Sequence, residues 1–130
     1  MAPRISNGTS NVEIEHERQN YRSRLATALT EEDDPLAAYH QFVHWTIKNY
    51  GENNPRSGLK DLLKEATTQF KGDPLYKTDL RYLKLWALYA RQVDKASALS
   101  IYASLLADDI GTSYSALYED YASLLESAGK

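Results

Sequence analysis

Leu80-Arg81-Tyr82-Leu83-Lys84-Leu85-Trp86-Ala87-Leu88-Tyr89-Ala90 is the segment on which the fold turns. A half-buried strand would alternate apolar and polar residues; this run does not. Wound as a helix, it carries apolar residues on nearly every side. Such a helix is normally buried among neighbours. Thr78 or Asp79 opens it and it reaches about Arg91. The pattern predicts a central helix flanked by companions, with one edge available to a partner peptide.

Working outward, Asp94 is placed to cap a fifth helix carrying Ala98, Ile101, Tyr102 and Leu105. Asp108 to Thr112 form a turn punctuated by Gly111. Thr112 or Ser113 then caps a sixth helix with Tyr114, Leu117, Tyr118, Tyr121, Leu124 and Leu125, which Gly129 stops. On the other side, Gly72-Asp73-Pro74 closes a third helix whose stripe is Leu59, Leu62, Leu63, Ala66 and Phe70. Either Asn54, before Pro55, or Ser57 caps it. A second helix runs from Pro35 to about Tyr50, with Leu36, Tyr39, Val43, Ile47 and Tyr50 on one stripe. Asp34 is a suitable cap, Pro is favoured at the first helical position, and Gly51 suits the stop. A first helix covers about Val12 to Leu29, with Tyr21, Leu25 and Ala28 at helical spacing and Leu29 widening the stripe. The polar residues 1–11 read as a disordered tail, leaving 12–130 as one helical domain.

The expected fold class is therefore all-α, with about six helices. Linkers are short, so neighbours should pack antiparallel. Helix starts at Pro35, Asp79 and Ser113 recur at intervals of about 34–44 residues, the period of tetratricopeptide (TPR) or related helix-pair repeats. In such repeats stacking makes the core. A plain helical bundle is the simpler alternative.

Composition narrows the chemistry. The chain has 130 residues, no cysteine and a net charge of -3. Disulfides, thiolate metal sites and cysteine nucleophiles are excluded. No apolar run approaches the roughly 18 residues of a membrane span, and no secretory signal is visible. Asn7-Gly8-Thr9 matches a glycosylation sequon only by coincidence without such a signal. Charge is uneven: net -3 over 1–34, +4 over 35–91 and -4 over 92–130. The basic middle suits an acidic peptide. An acidic chain argues against nucleic acid.

Catalytic signatures are missing. His40 and His44 share a helical face at a zinc-pair spacing, but Gln41 stands where a metalloprotease has Glu, and no third ligand is placed. Glu31-Glu32-Asp33-Asp34 lies in a polar linker, where carboxylates are solvated. There is no Gly-rich phosphate loop and no nucleophile elbow. We therefore expect no catalytic, cofactor or metal site. Lys77, Arg81 and Lys84 fall at i, i+4 and i+7 and form a candidate basic rim; Lys60 and Lys64 make a similar pair on the third helix. Such a rim would guide an acidic segment towards an apolar groove. Most of the ten tyrosines lie on the core stripes.

Several segments, in order, resemble the N-terminal TPR domain of the Bub/BubR/Mad family of spindle-checkpoint proteins. They are Asp34-Pro35-Leu36, Trp45-Thr46-Ile47-Lys48-Asn49-Tyr50, Leu62-Leu63-Lys64-Glu65-Ala66, Tyr76-Lys77-Thr78-Asp79-Leu80-Arg81-Tyr82-Leu83-Lys84-Leu85-Trp86, Ile110-Gly111-Thr112-Ser113 and Ala116-Leu117-Tyr118-Glu119-Asp120-Tyr121-Ala122. The match spans about Tyr21 to Gly129.

The resemblance implies a non-catalytic docking module that binds a short amphipathic helix of the kinetochore scaffold (KNL/Spc type), alongside other checkpoint proteins. It implies neither nucleic-acid nor membrane partners. By position it implies partner contacts at Tyr89 and Gln92 on the fourth helix and Ser104 and Leu105 on the fifth. Tight-binding relatives carry apolar residues where Gln92 and Ser104 stand; each polar replacement removes contact worth on the order of 1 kcal/mol. The expected location is the nucleus, with kinetochores in mitosis, and otherwise the cytosol. The absence of a KEN degron favours the kinase-bearing Bub branch, whose full-length protein carries a C-terminal Ser/Thr kinase domain. The family's domain continues beyond the sixth helix, so the chain is expected to stop short of its last helix. Two alternatives are a Mad/BubR-type inhibitory subunit acting on the anaphase-promoting complex and a generic TPR scaffold outside the checkpoint.

Overall fold

A computed structural model describes residues 7–129, with side-chain surroundings from residue 11. Among the described residues there are six α-helices and no strand: α1 (Asn7–Glu31), α2 (Pro35–Tyr50), α3 (Leu59–Gln69), α4 (Leu80–Ala90), α5 (Lys95–Ala107) and α6 (Ser115–Ser127). A 3₁₀ turn, Pro74–Tyr76, precedes α4. The all-α expectation holds. The chain divides into two compact units, Met1–Ser57 and Gly58–Lys130.

In the first unit α1 packs on α2. Glu17 accepts from the Trp45 indole at 2.9 Å, and Arg24 donates to Gln41 Oε1 at 2.5 Å, so the helices run antiparallel. Tyr21 stacks on Phe42 with centroids 5.4 Å apart and lies as close to Trp45. Leu25 and Ala28 are buried as their spacing predicts; Leu29 is instead exposed. Of the tail expected over 1–11, residues 1–6 lie outside the described residues and α1 already begins at Asn7. Residues 13–24 are rich in Glu, Gln and Arg, which favour helix without burial; nothing in the composition of residues 7–11 explains the extra turn.

α2 has the ends its sequence announces. Pro35 is at the first helical position, and Gly51 follows the last with φ 83° while its N–H bonds the Ile47 carbonyl. Asp34 occupies the N-cap, but its carboxylate makes no cap bond.

In the second unit α4 packs on both α3 and α5, and α5 on α6. Tyr82, Leu83, Leu85 and Trp86 are buried, so the run from Leu80 is the central helix its composition requires. Asp79 caps α4 by accepting from Arg81 N, and Asp94 caps α5 by accepting from Ser97 N and Oγ. Two expected caps differ. The α3 N-cap is Gly58, because Asn54 Oδ1 instead closes a local turn with Arg56 N. The α6 N-cap is Tyr114, because the Thr112 hydroxyl is engaged with the Asp109 carboxylate.

Burial pushes the Tyr82 phenol up to about 12, Asp73 adding to the shift and the Trp86 indole opposing it. Burial, helped by Asp120 and opposed by Arg91, also pushes Tyr102 to about 12. The fold thus favours both neutral phenols. Their contribution is complete below the ordinary tyrosine pKa near 10 and falls as pH rises from there towards 12, by up to about 1.4 kcal/mol per pH unit each. Spectrophotometric titration should show two phenols, Tyr82 and Tyr102, ionising well above the ordinary value and only as helicity is lost. Ten phenols titrating together with helicity intact would contradict this.

Candidate functional site

The expected partner-binding residues all lie in the second unit. Tyr89 is half-buried near the end of α4, its ring 6.3 Å from that of Trp86. Gln92 is half-buried but lies in the turn after α4 rather than on the helix. Ser104 is exposed on α5, nine residues beyond its start, so about 14 Å along the axis. Leu105 is 1% exposed and belongs to the core, so it is not a surface contact as the domain stands. The remaining three do not form one cluster. They are strung along the α4–α5 hairpin as a track about two to three helical turns long. Ile101, read as core, is only half-buried; one turn before Ser104, it adds apolar surface to that track.

The basic rim is weaker than its spacing implied. Lys84 is exposed on α4, whereas Lys77 lies before the helix and is half-buried. Arg81 is already paired with Asp79, through Nη2–Oδ2 at 2.6 Å and Nε–Oδ1 at 3.1 Å. One carboxylate therefore caps the helix and neutralises a member of the rim. Lys60 and Lys64 are exposed one turn apart on α3.

Sequence reasoning missed a concave feature between α4, α5 and α6. A cavity of about 320 Å³ is lined by Ala87, Ala90, Ala98, Tyr102, Asp120 and Leu124 among others. Its small residues are spread over three helices, and no linear spacing announces it. Tyr102 stacks on Tyr121 beneath this region, with centroids 5.8 Å apart. His40 and His44 have ring centroids 4.6 Å apart, yet no group of three or more His, Cys, Asp or Glu able to hold a metal occurs among the described residues. No helix is long and apolar enough to cross a membrane among the described residues.

Comparison with known proteins agrees with this helical architecture. The sequence matches the family described as Mad3/BUB1 homology region 1 over residues 16–130. It is 33% identical over 117 residues to the mitotic spindle checkpoint component mad3 of Schizosaccharomyces pombe, covering 89% of this chain and 37% of that protein. The chain thus spans little more than a third of that relative's length. A chain in the crystal structure of a mitotic checkpoint complex superposes with a TM-score of 0.87 at 31% identity, covering 97% of this chain and 58% of that one. The conserved N-terminal domain of the checkpoint component BUB1 superposes with a TM-score of 0.85 at 24% identity, over 95% of this chain and 64% of that one, which bears on the fold alone. The matched region is a helical homology region rather than a kinase domain. With all but its first fifteen residues inside the match, the chain belongs to the Mad3/BUB1 homology region 1 family.

Proposed function

We propose that this chain is a protein-interaction module of a mitotic spindle-checkpoint protein, and that it docks a short amphipathic helix of a kinetochore scaffold of the KNL/Spc type along α4 and α5. Family membership over residues 16–130 is the observation that carries the checkpoint role. The likeness to a chain of a mitotic checkpoint complex supports other checkpoint proteins as partners, and the relatives named as mitotic checkpoint proteins support kinetochores as the place of action in mitosis. The half-buried Tyr89, with Gln92, Ile101 and Ser104, supports the docking track. Helix-in-groove binding needs apolar anchors at helical spacing and a polar rim. Tyr89 supplies a rigid anchor, Ile101 aliphatic surface, and Lys84 an exposed charge.

Fluorescence anisotropy with a labelled scaffold helix tests this. Tyr89→Ala removes an aromatic anchor and is expected to weaken binding tenfold or more, the range of an interface hot spot. Ser104→Glu, at an exposed position that cannot disturb the core, should weaken it similarly. Gln92→Leu and Ser104→Leu should tighten it several-fold by adding apolar contact. Unchanged affinity for both Tyr89→Ala and Ser104→Glu would remove the α4–α5 track from the reading. A second reading, a Mad/BubR-type inhibitory subunit acting on the anaphase-promoting complex, is favoured by the 33% identity to mad3. Restoring inhibition in an extract depleted of that subunit would select it.

A further inference from the structure

The α1–α2 pair carries a second concave surface of about 430 Å³, lined by Tyr21, His40, Gln41, His44, Trp45 and Lys48. Three of these, His40, His44 and Lys48, follow at i, i+4 and i+8 on α2 and so form one stripe. His44 and Lys48 are exposed and His40 is half-buried. No acidic residue lines the surface. Arg24, bonded to Gln41, adds positive charge at its edge. Glu17 stands beside Trp45 and accepts from its indole N–H at 2.9 Å, so it borders the surface without being part of its lining.

We infer that this surface docks an extended acidic peptide segment with carboxylates at alternate positions. Charge selects the occupant: a stripe of cationic and imidazole groups with no acid among them favours an anionic partner and repels a basic one. Spacing selects its form. Residues four apart on a helix repeat every 6 Å or so. Same-face side chains of an extended chain repeat at about 6.6 Å. A Glu-x-Glu-x-Glu segment therefore sets one carboxylate against each of the three groups. The methylene stems of those glutamates lie against Tyr21 and Trp45, as long charged side chains do on apolar surface. Five of its six lining residues stand on α2, where the His40–His44 spacing already marks a shared face, and only Tyr21 comes from α1.

The test is anisotropy of a fluorescein-labelled peptide with glutamate at alternate positions, titrated with the full 130-residue chain. Binding is expected to fall about tenfold in the exposed-site double variant His44→Gln/Lys48→Gln, and several-fold between about 50 and 200 mM salt as the charges are screened. Lys71→Gln, exposed after α3, should change nothing. Circular dichroism of the double variant should match wild type, since neither side chain is in the core. Equal binding of the glutamine version of the peptide, or unchanged binding by the double variant, would overturn the inference. So would displacement of the peptide by inorganic phosphate at low millimolar concentration, which would make the surface a phosphate site. Because no residue of α4 or α5 lines the surface, these outcomes leave the scaffold-docking reading untouched.

Discussion

Tyr82→Ala is expected to lower the unfolding free energy by about 3–5 kcal/mol, the range for deleting a fully buried aromatic side chain. Tyr82 is 0% exposed. Its ring meets Phe70, Tyr76 and Trp86 with centroids 6.4, 6.3 and 6.1 Å apart. Its hydroxyl donates to the Thr67 carbonyl at 2.5 Å. That carbonyl lies in the last turn of α3, where helical carbonyls lack intrahelical partners. Lys71 N bonds Thr68 instead, so the α4 tyrosine serves as the cap for α3. Tyr82→Phe keeps the ring and strands a buried acceptor, which costs about 1–3 kcal/mol. Thermal unfolding should show a fall of roughly 10–20 °C for the alanine variant and a smaller one for phenylalanine. A phenylalanine variant as stable as wild type would show that the hydroxyl bond contributes nothing net.

This residue also shows how far the sequence could be read. Tyr82 falls on an all-round apolar helix, and its burial follows from that pattern alone. Its polar tip does not, because the acceptor lies 15 positions earlier on another helix. The ends of α2 were legible because Pro and Gly act through their own backbone restrictions. The caps of α3 and α6 were not, because Asn54 and Thr112 have local partners that compete with capping. The same limit divides the candidate site. Consecutive helical residues point about 100° apart, and on α5 the boundary of the core falls between two adjacent positions carried over as a pair: Ser104 is exposed and Leu105 is core. Arg81 kept its place near the rim, but its charge is compensated, since the carboxylate read only as a cap also binds its guanidinium.

Gly111→Ala is expected to cost about 2–5 kcal/mol, from two sources that can be separated. The first is conformational. Gly111 has φ 70°, and an L-residue in the left-handed region pays about 1–2 kcal/mol. The second is packing: a Cβ there would lie 2.9 Å from Leu83 Cδ1 and 3.1 Å from Cδ2. Leu83 is buried, so making room disturbs the core, at about 1–3 kcal/mol for overpacking. The close approach has a structural purpose. Gly111 N–H donates to the Lys77 carbonyl at 2.8 Å, and the Tyr114 hydroxyl donates to the Thr78 carbonyl at 2.5 Å. Both bonds tie the α5–α6 turn to the residues that lead into α4, and they bring Ile110 and Leu117 into the core. A wider turn would lift α6 and with it the Asp120 and Leu124 wall of the cavity beside α4. A double-mutant cycle with Leu83→Ala isolates the packing part, because the shortened side chain leaves room for the new methyl group. The alanine at 111 should then cost only its conformational share, giving a coupling of about 1 kcal/mol or more. Additive costs would show that Leu83 does not oppose the methyl group, and that the turn depends on glycine for its dihedral angle alone.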